Sequence, residues 1–302
     1  MKSPARFKLL DRSTLLALFV AVVLMQACST IKLGYNNAVD LSYWWLDDYV
    51  DFNEAQSPKV REELERLHKW HRAVELPKIA ALLQNSQRLL AGDVTPAQVC
   101  TSFAETRVRM ETISNQAENG IAVITSAITA EQRLRIARKF EKNNAKWREE
   151  WFEGSAEERQ KKRLKAAIER AEQLYDSLDE SQVTLLRDLD TASAYDAELS
   201  FKERLRRQQD LLQTLSRINP ANPPDKPSPP QAVGLYRDWL ARNARSPDSA
   251  YRDFAEKMAV ESCNTFATVH NSTTAKQRAR AAKRIAAYLS DARELAGIQT
   301  LN

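Results

Sequence analysis

ITAEQ, residues 128–132, is the stretch from which the fold is read. Thr129 is a helix-capping residue and Gln132 stands three positions after it. In a capping box the first side chain accepts from the backbone amide at the third helical position. The glutamine there reaches back to the cap's own amide. The same design recurs as FNEAQ (52–56), VTPAQ (94–98), LDESQ (178–182) and TTAKQ (273–277). These pair Asn53 with Gln56, Thr95 with Gln98, Asp179 with Gln182, and Thr274 with Gln277. Pro96 falls at the first helical position, where its missing donor costs nothing. Ser155 with Glu158 makes a sixth box. In four of the five glutamine boxes an apolar residue precedes the cap, as a hydrophobic staple requires.

Working outward from these starts, the chain reads as all-α, a multi-helix bundle-like body. Six glycines in 302 residues is far below the usual share of about 7%, and alternating apolar–polar runs are scarce. Gly34, Gly92, Gly154 and Gly297 fall where helical patterns stop, as C-terminal caps do. Helices are expected near 36–51, 54–91 with a kink at Pro77, 96–127, 130–153, 156–177, 180–192, 197–217, 232–244, 248–269 and 275–296. Residues 219–231 contain NPANPPDKPSPP, with six of the eleven prolines, and read as a stiff connector. It divides a helical body (35–218) from C-terminal helices (232–302). About seventy residues are marginal for independent stability, so the latter are expected to pack on the same body.

The first 27 residues read as a targeting segment. Lys2, Arg6, Lys8 and Arg12 precede an unbroken apolar run, Leu15 to Met25. That run is too short for a bilayer span, which takes about 20 residues, and suits a secretory signal peptide. Ala27 then precedes Cys28, and LMQAC resembles the lipobox of bacterial lipoproteins. The resemblance implies cleavage before Cys28, acylation of that cysteine, and a lipidated tether over 28–34. Ser29 in second place implies sorting to the outer membrane. An ordinary secretory peptide is the alternative. Without residues 1–27 the net charge falls from +5 to +2, so the basic balance belongs largely to the removed peptide. Nucleic acid is not an expected partner.

Cys100 and Cys263 then remain. In an oxidising compartment two leftover thiols most simply pair; two separate buried thiols are the alternative. YNNAVDLSYWWLDDYVDF (35–52) puts Ala38, Leu41, Trp45, Tyr49 and Phe52 on one helical face. Tryptophans near an anchor suit a membrane interface. Yet Asp40, Asp47, Asp48 and Asp51 oppose an anionic surface, so core packing is expected. Glu65, His68, His71 and Glu75 form a stripe of metal-ligand types. The Glu-x-x-His unit has no second copy, however, and no metal or other cofactor is expected. Residues 133–170 are net +6 and residues 28–75 net −3, which reads mainly as solvated helix faces. No G-x-S-x-G, H-E-x-x-H, P-loop or Gly-rich dinucleotide turn is present.

Over most of residues 28–297 the chain resembles an uncharacterised family of proteobacterial lipoproteins known as a domain of unknown function. The resemblance rests on LGYNNA (33–38), WWLDDYVD (44–51), VTPAQVC (94–100), RRQQDLLQTL (206–215) and HNSTT (270–274). It implies lipidation, helices and paired cysteines, and supplies no activity. VTPAQ, ITAEQ and LDESQ also resemble the LTxxQ motif of periplasmic chaperone-like proteins, although capping chemistry alone produces that pattern. The expectation is a non-enzymatic outer-membrane lipoprotein facing the periplasm. It would be a binding or scaffolding module held to the membrane by its acylated N-terminus, with envelope proteins as possible partners. A chaperone-like envelope stress protein and an envelope enzyme with an unfamiliar site are the alternatives.

Overall fold

Gln132 Oε1 accepts from the Thr129 amide at 2.9 Å and Thr129 Oγ1 accepts from the Gln132 amide at 3.2 Å, so this box is formed. The structure, a computed structural model, describes residues 30–220 and 225–298. Every regular element among them is helical, as expected. In chain order these are α1 (Thr30–Asn36), α2 (Ala38–Val50), α3 (Ser57–Trp70), a π-helical turn (His71–Glu75) and α4 (Leu76–Leu89). Then follow α5 (Pro96–Thr125), α6 (Ala130–Trp151), α7 (Ala156–Tyr175), α8 (Glu180–Thr191) and α9 (Ala197–Ile218). The last three are α10 (Pro229–Ala244), α11 (Ser249–Asn271) and α12 (Ala275–Leu295). None of these helices is long and apolar enough to cross a membrane.

Several boundaries differ from the sequence reading; the helix expected from residue 54 opens at Ser57, with residues 54–56 forming a turn held by the Asn53 side chain. The stretch read as a tether is helical from Thr30, and Gly34 lies inside α1 rather than at its end. The 54–91 helix is interrupted by the π turn. Pro77 lacks an N–H and its ring crowds the carbonyl four residues back, which a widened turn relieves. The connector ends at Ser228, because Pro229 and Pro230 take the first positions of α10. The Ser228 amide donates to Gln231 Oε1 at 2.8 Å. This further box went unread, since proline density there signals a connector.

The thirty-residue α5 runs through the middle, touching α3, α4, α9, α10 and α11, while α12 lies along α4. The apolar interior is split into small clusters, among them Leu76, Ala80 and Leu289 between α4 and α12. Another joins Val50, Ile128, Ile136 and Leu215. The Cys100–Cys263 disulfide, with Cα atoms 5.3 Å apart, ties α5 to α11. Gly120 sits inside α5 because a Cβ there would stand 2.9 Å from the Glu63 carboxylate of α3. Gly154 ends the α6 turn at φ +89°, a backbone region that disfavours other residues.

The α2 face departs from expectation. Tyr43 and Val50 are buried and Tyr49 and Phe52 pack on the core, but Leu41, Trp44 and Trp45 are exposed. A helix only half covered by α3 and α6 buries one stripe; Leu41 and Trp44 lie away from it, and Trp45 lies at its edge, its ring 5.1 Å from that of Tyr49.

What joins the separate clusters is a side-chain device. Gln56 Nε2 donates to Gln132 Oε1 at 3.1 Å and Gln132 Nε2 donates back to Gln56 Oε1 at 2.7 Å. Gln182 and Gln277 do the same at 2.9 and 2.8 Å. Each remaining amide hydrogen goes to the carbonyl two residues before the partner's cap: Ala127 at 2.7 Å, and Asp51, Ser272 and Ser177 at 3.0 Å. Each Oε1 also holds its own cap's amide, so every amide makes all the bonds it can. Two interhelical corners are thereby clasped in each pair. Gln98, by contrast, serves its own box at an exposed position.

Truncating one buried glutamine strands its partner's amide and a carbonyl, at about 1–3 kcal/mol per group. Gln182→Ala is therefore expected to cost about 3 kcal/mol or more in urea unfolding, and Gln98→Ala about 1 kcal/mol. A Gln182/Gln277 double-mutant cycle should give a coupling of about 1–3 kcal/mol.

Candidate functional site

Residues 200, 203, 204, 207, 208, 211, 214, 215 and 218 of α9 follow the three-and-four spacing of one helix face, and all of them line a cavity of about 700 Å³. Tyr49 and Phe52 close it from the end of α2, Ile121 and Ile124 from α5, Ile136 and Phe140 from α6, and Tyr236 and Trp239 from α10. The walls are mostly aliphatic and aromatic. The volume lies within the range of roughly 300–1,000 Å³ seen for small-molecule pockets.

Glu203 is 3% exposed. Its carboxylate accepts from Arg206 Nε at 2.7 Å, an Arg206 terminal nitrogen at 2.8 Å, Arg207 Nε at 2.7 Å and Ser246 Oγ at 2.9 Å. Burial pushes its pKa up, but these four bonds and the Arg206 charge outweigh it and hold the carboxyl below the usual range. Asp210 extends the network by pairing Arg206 and Arg242. The one acid on the cavity wall is therefore already committed.

Arg204 is placed differently. Its Nε donates to Asn144 Oδ1 at 2.7 Å, and the buried Asn144 also exchanges bonds with Gln208 at 2.7 and 3.0 Å. Among the described residues no carboxylate pairs with Arg204. On the α10 wall, Trp239 Nε1 is buried with no acceptor. An unanswered buried N–H is rare and costs about 1–3 kcal/mol. The cavity thus presents a half-buried cation amid apolar walls, which suits an apolar chain bearing an anionic head, while the Trp239 N–H lies sealed within the wall.

The residues singled out as metal-ligand types are not brought together. Glu65 is exposed, and Glu75 is buried between Lys78 at 3.3 Å and Arg109 at 3.2 Å. His71 Nδ1 is hydrogen-bonded to the Tyr35 hydroxyl at 2.8 Å, and His68 packs on the same ring, centroids 4.8 Å apart. Among the described residues no three His, Cys, Asp or Glu side chains are grouped to hold a metal ion. Tyr35 of LGYNNA thus anchors α1 to the π turn. Acidic α2 and basic α6 meet directly through Asp48–Lys139 and through Asp51–Arg135 at 2.9 Å. Cys28 lies outside the described residues.

HNSTT proves to be a joint. His270 is fully buried; its Nε2 donates to the Gly92 carbonyl at 2.8 Å, leaving Nδ1 to accept from the Tyr175 hydroxyl at 2.9 Å. Asn271 brackets Val94, accepting its amide at 2.8 Å and donating to its carbonyl at 2.9 Å.

A model of a family of unknown function, DUF6279, matches residues 48–225, more than half of the chain. The chain belongs to that family. The DUF6279 span takes in α3 to α9, including Glu203, Arg204 and the α9 stripe, while Trp239 and Cys263 lie beyond it. No curated protein and no solved structure matches the chain.

Sequence reading missed Glu203, Arg204, Asn144 and Trp239. A signal existed in α9, where the spacing puts Arg204 in line with Leu211, Leu215 and Ile218, an arginine on an apolar stripe. For Asn144 and Trp239 the sequence carries no such sign.

Desolvation lowers the pKa of His68, His71 and His270 below the ordinary 6.5. Each then binds its proton less readily folded than unfolded, so acid favours the unfolded chain. Stability is expected to hold above about pH 6.5 and fall below it, by at most about 1.4 kcal/mol per pH unit per histidine. Urea midpoints between about pH 7.5 and pH 5.5 measure this, and His270→Asn should flatten the slope.

Proposed function

We propose that this DUF6279 protein is a non-enzymatic, lipid-anchored binding module of the bacterial outer membrane that takes a long-chain carboxylate in the α9 cavity. The observation behind the ligand is the apolar cavity with the Arg204 guanidinium on its wall, paired with no carboxylate among the described residues. A carboxylate head answers the guanidinium in kind, and a charge-assisted hydrogen bond is worth about 1.5–3 kcal/mol. Behind the anchor stands the basic, apolar, small-residue run that ends at Cys28. Acyl chains at about 0.8 kcal/mol per buried methylene hold firmly once two or more are present. As for the chaperone-like alternative, Gln56, Gln132, Gln182 and Gln277 are fully occupied in clasping helix corners. The likeness to LTxxQ therefore needs no client.

Two measurements test this. Intact mass of protein extracted from its host's membranes should show a chain beginning at Cys28, carrying lipid, and two hydrogens lighter for the Cys100–Cys263 bond. Tryptophan fluorescence should report saturable binding of palmitate. Arg204→Met is expected to weaken that binding about tenfold or more, with little effect on the matching fatty alcohol. Absence of saturable palmitate binding overturns the ligand; a chain starting elsewhere overturns the anchor.

A further inference from the structure

Trp44 and Trp45 are 61% and 63% exposed, and among the described residues they are the two tryptophans on the surface. Leu41 joins them on the exposed side of α2, and Leu33 of α1, 65% exposed, precedes them. We propose that Leu33, Leu41, Trp44 and Trp45 form a bilayer-contacting surface, seated at the headgroup level of the membrane that holds the anchor. The proposal rests on the anchored reading given above for Cys28.

Chain length supplies the first argument. Thr30, the first residue of α1, is two residues from Cys28, a reach of at most about 7 Å. Helical rise puts Leu33 about 5 Å further on. An anchored chain therefore cannot carry α1 away from the membrane, and α2 follows after one residue. Side-chain type supplies the second. Tryptophan has an apolar body with one N–H donor, and it concentrates where hydrocarbon meets headgroups.

Charge removes the objection that α2 is acidic. Asp40 pairs with Arg61 at 2.5 Å, Asp51 with Arg135 at 2.9 Å, and Asp48 with Lys139. Asp47 turns back to accept the Phe52 amide at 2.8 Å. Three of the four carboxylates are compensated by cations from α3 and α6, while Asp47 keeps its charge at the C-terminal end of the helix. An anionic leaflet then meets indole and leucine with one uncompensated carboxylate instead of four. Trp45 also lines the α9 cavity, so this orientation would bring the cavity's edge to the bilayer.

The test uses the lipidated full chain with vesicles of phosphatidylethanolamine and phosphatidylglycerol, doped with phosphatidylcholine brominated near the headgroup end of its acyl chains. Flotation reports the anchor and fluorescence quenching reports the surface. Quenching should reach about a third of the emission, the share of two tryptophans in six. Trp44→Phe/Trp45→Phe is expected to remove most of it. Leu33→Asp/Leu41→Asp, which keeps both emitters, should lower it at least twofold while circular dichroism stays helical. A chain that floats without quenching, or whose quenching survives the double Phe change, overturns the bilayer-contacting surface alone. A chain that does not float overturns both the surface and the anchor.

Discussion

Two buried pairs of glutamine amides are the constraint on which the rest of this structure depends. A carboxamide has two donors and two acceptor positions, and in each pair every one is used: on the cap of its own helix, on the opposite glutamine, and on the carbonyl that leads into the opposite cap. One pair clasps the corner between α2 and α3 to that between α5 and α6. The other clasps the α7–α8 corner to the α11–α12 corner. A helix start ordinarily exposes unanswered amides; here those ends can be buried against one another. Small, separated apolar clusters suffice because the corners are fixed by directional bonds.

With the corners held, the helix bodies between them need not meet everywhere. The α9 stripe faces α2, α5, α6 and α10 across a gap of about 700 Å³ instead of packing flush. Glu203 in that wall is stable as an anion because Arg206, Arg207 and Ser246 surround it. A buried carboxylate without such partners would be protonated or expelled. Arg204, one residue on, has an asparagine for company and, among the described residues, no carboxylate. Charge is thus satisfied on one side of the stripe and left open on the other, and that asymmetry gives the cavity a chemical preference.

The joint at HNSTT links these parts. His270 spans the α4–α5 loop and α7, Asn271 brackets Val94, and the Ser272 carbonyl receives Gln182. Cys263, two turns earlier on α11, is bonded to Cys100 of α5. Segments that carried the family resemblance therefore turn out to be mostly joints. Their side chains make long-range bonds that few other residue types could supply.

Local chemistry was open to reading from the sequence. Capping boxes are four-residue events whose partners lie within about one turn, so Thr95, Thr129, Ser155, Asp179 and Thr274 could be placed on helix starts without knowing anything distant. Glycine scarcity and helical spacing settled the all-α class for the same reason. Which corner meets which, and that Gln56 finds Gln132 across 76 residues, is a matter of global packing that no local pattern encodes. The same holds for α2. Its periodicity gave one apolar face, Ala38 to Phe52, but only the positions of α3 and α6 decided that Tyr43 and Val50 were covered and that Leu41 and Trp45 were not. Burial is a property of the whole fold, while capping belongs to a single turn, and the division between what sequence determined and what tertiary structure decided follows that difference in range.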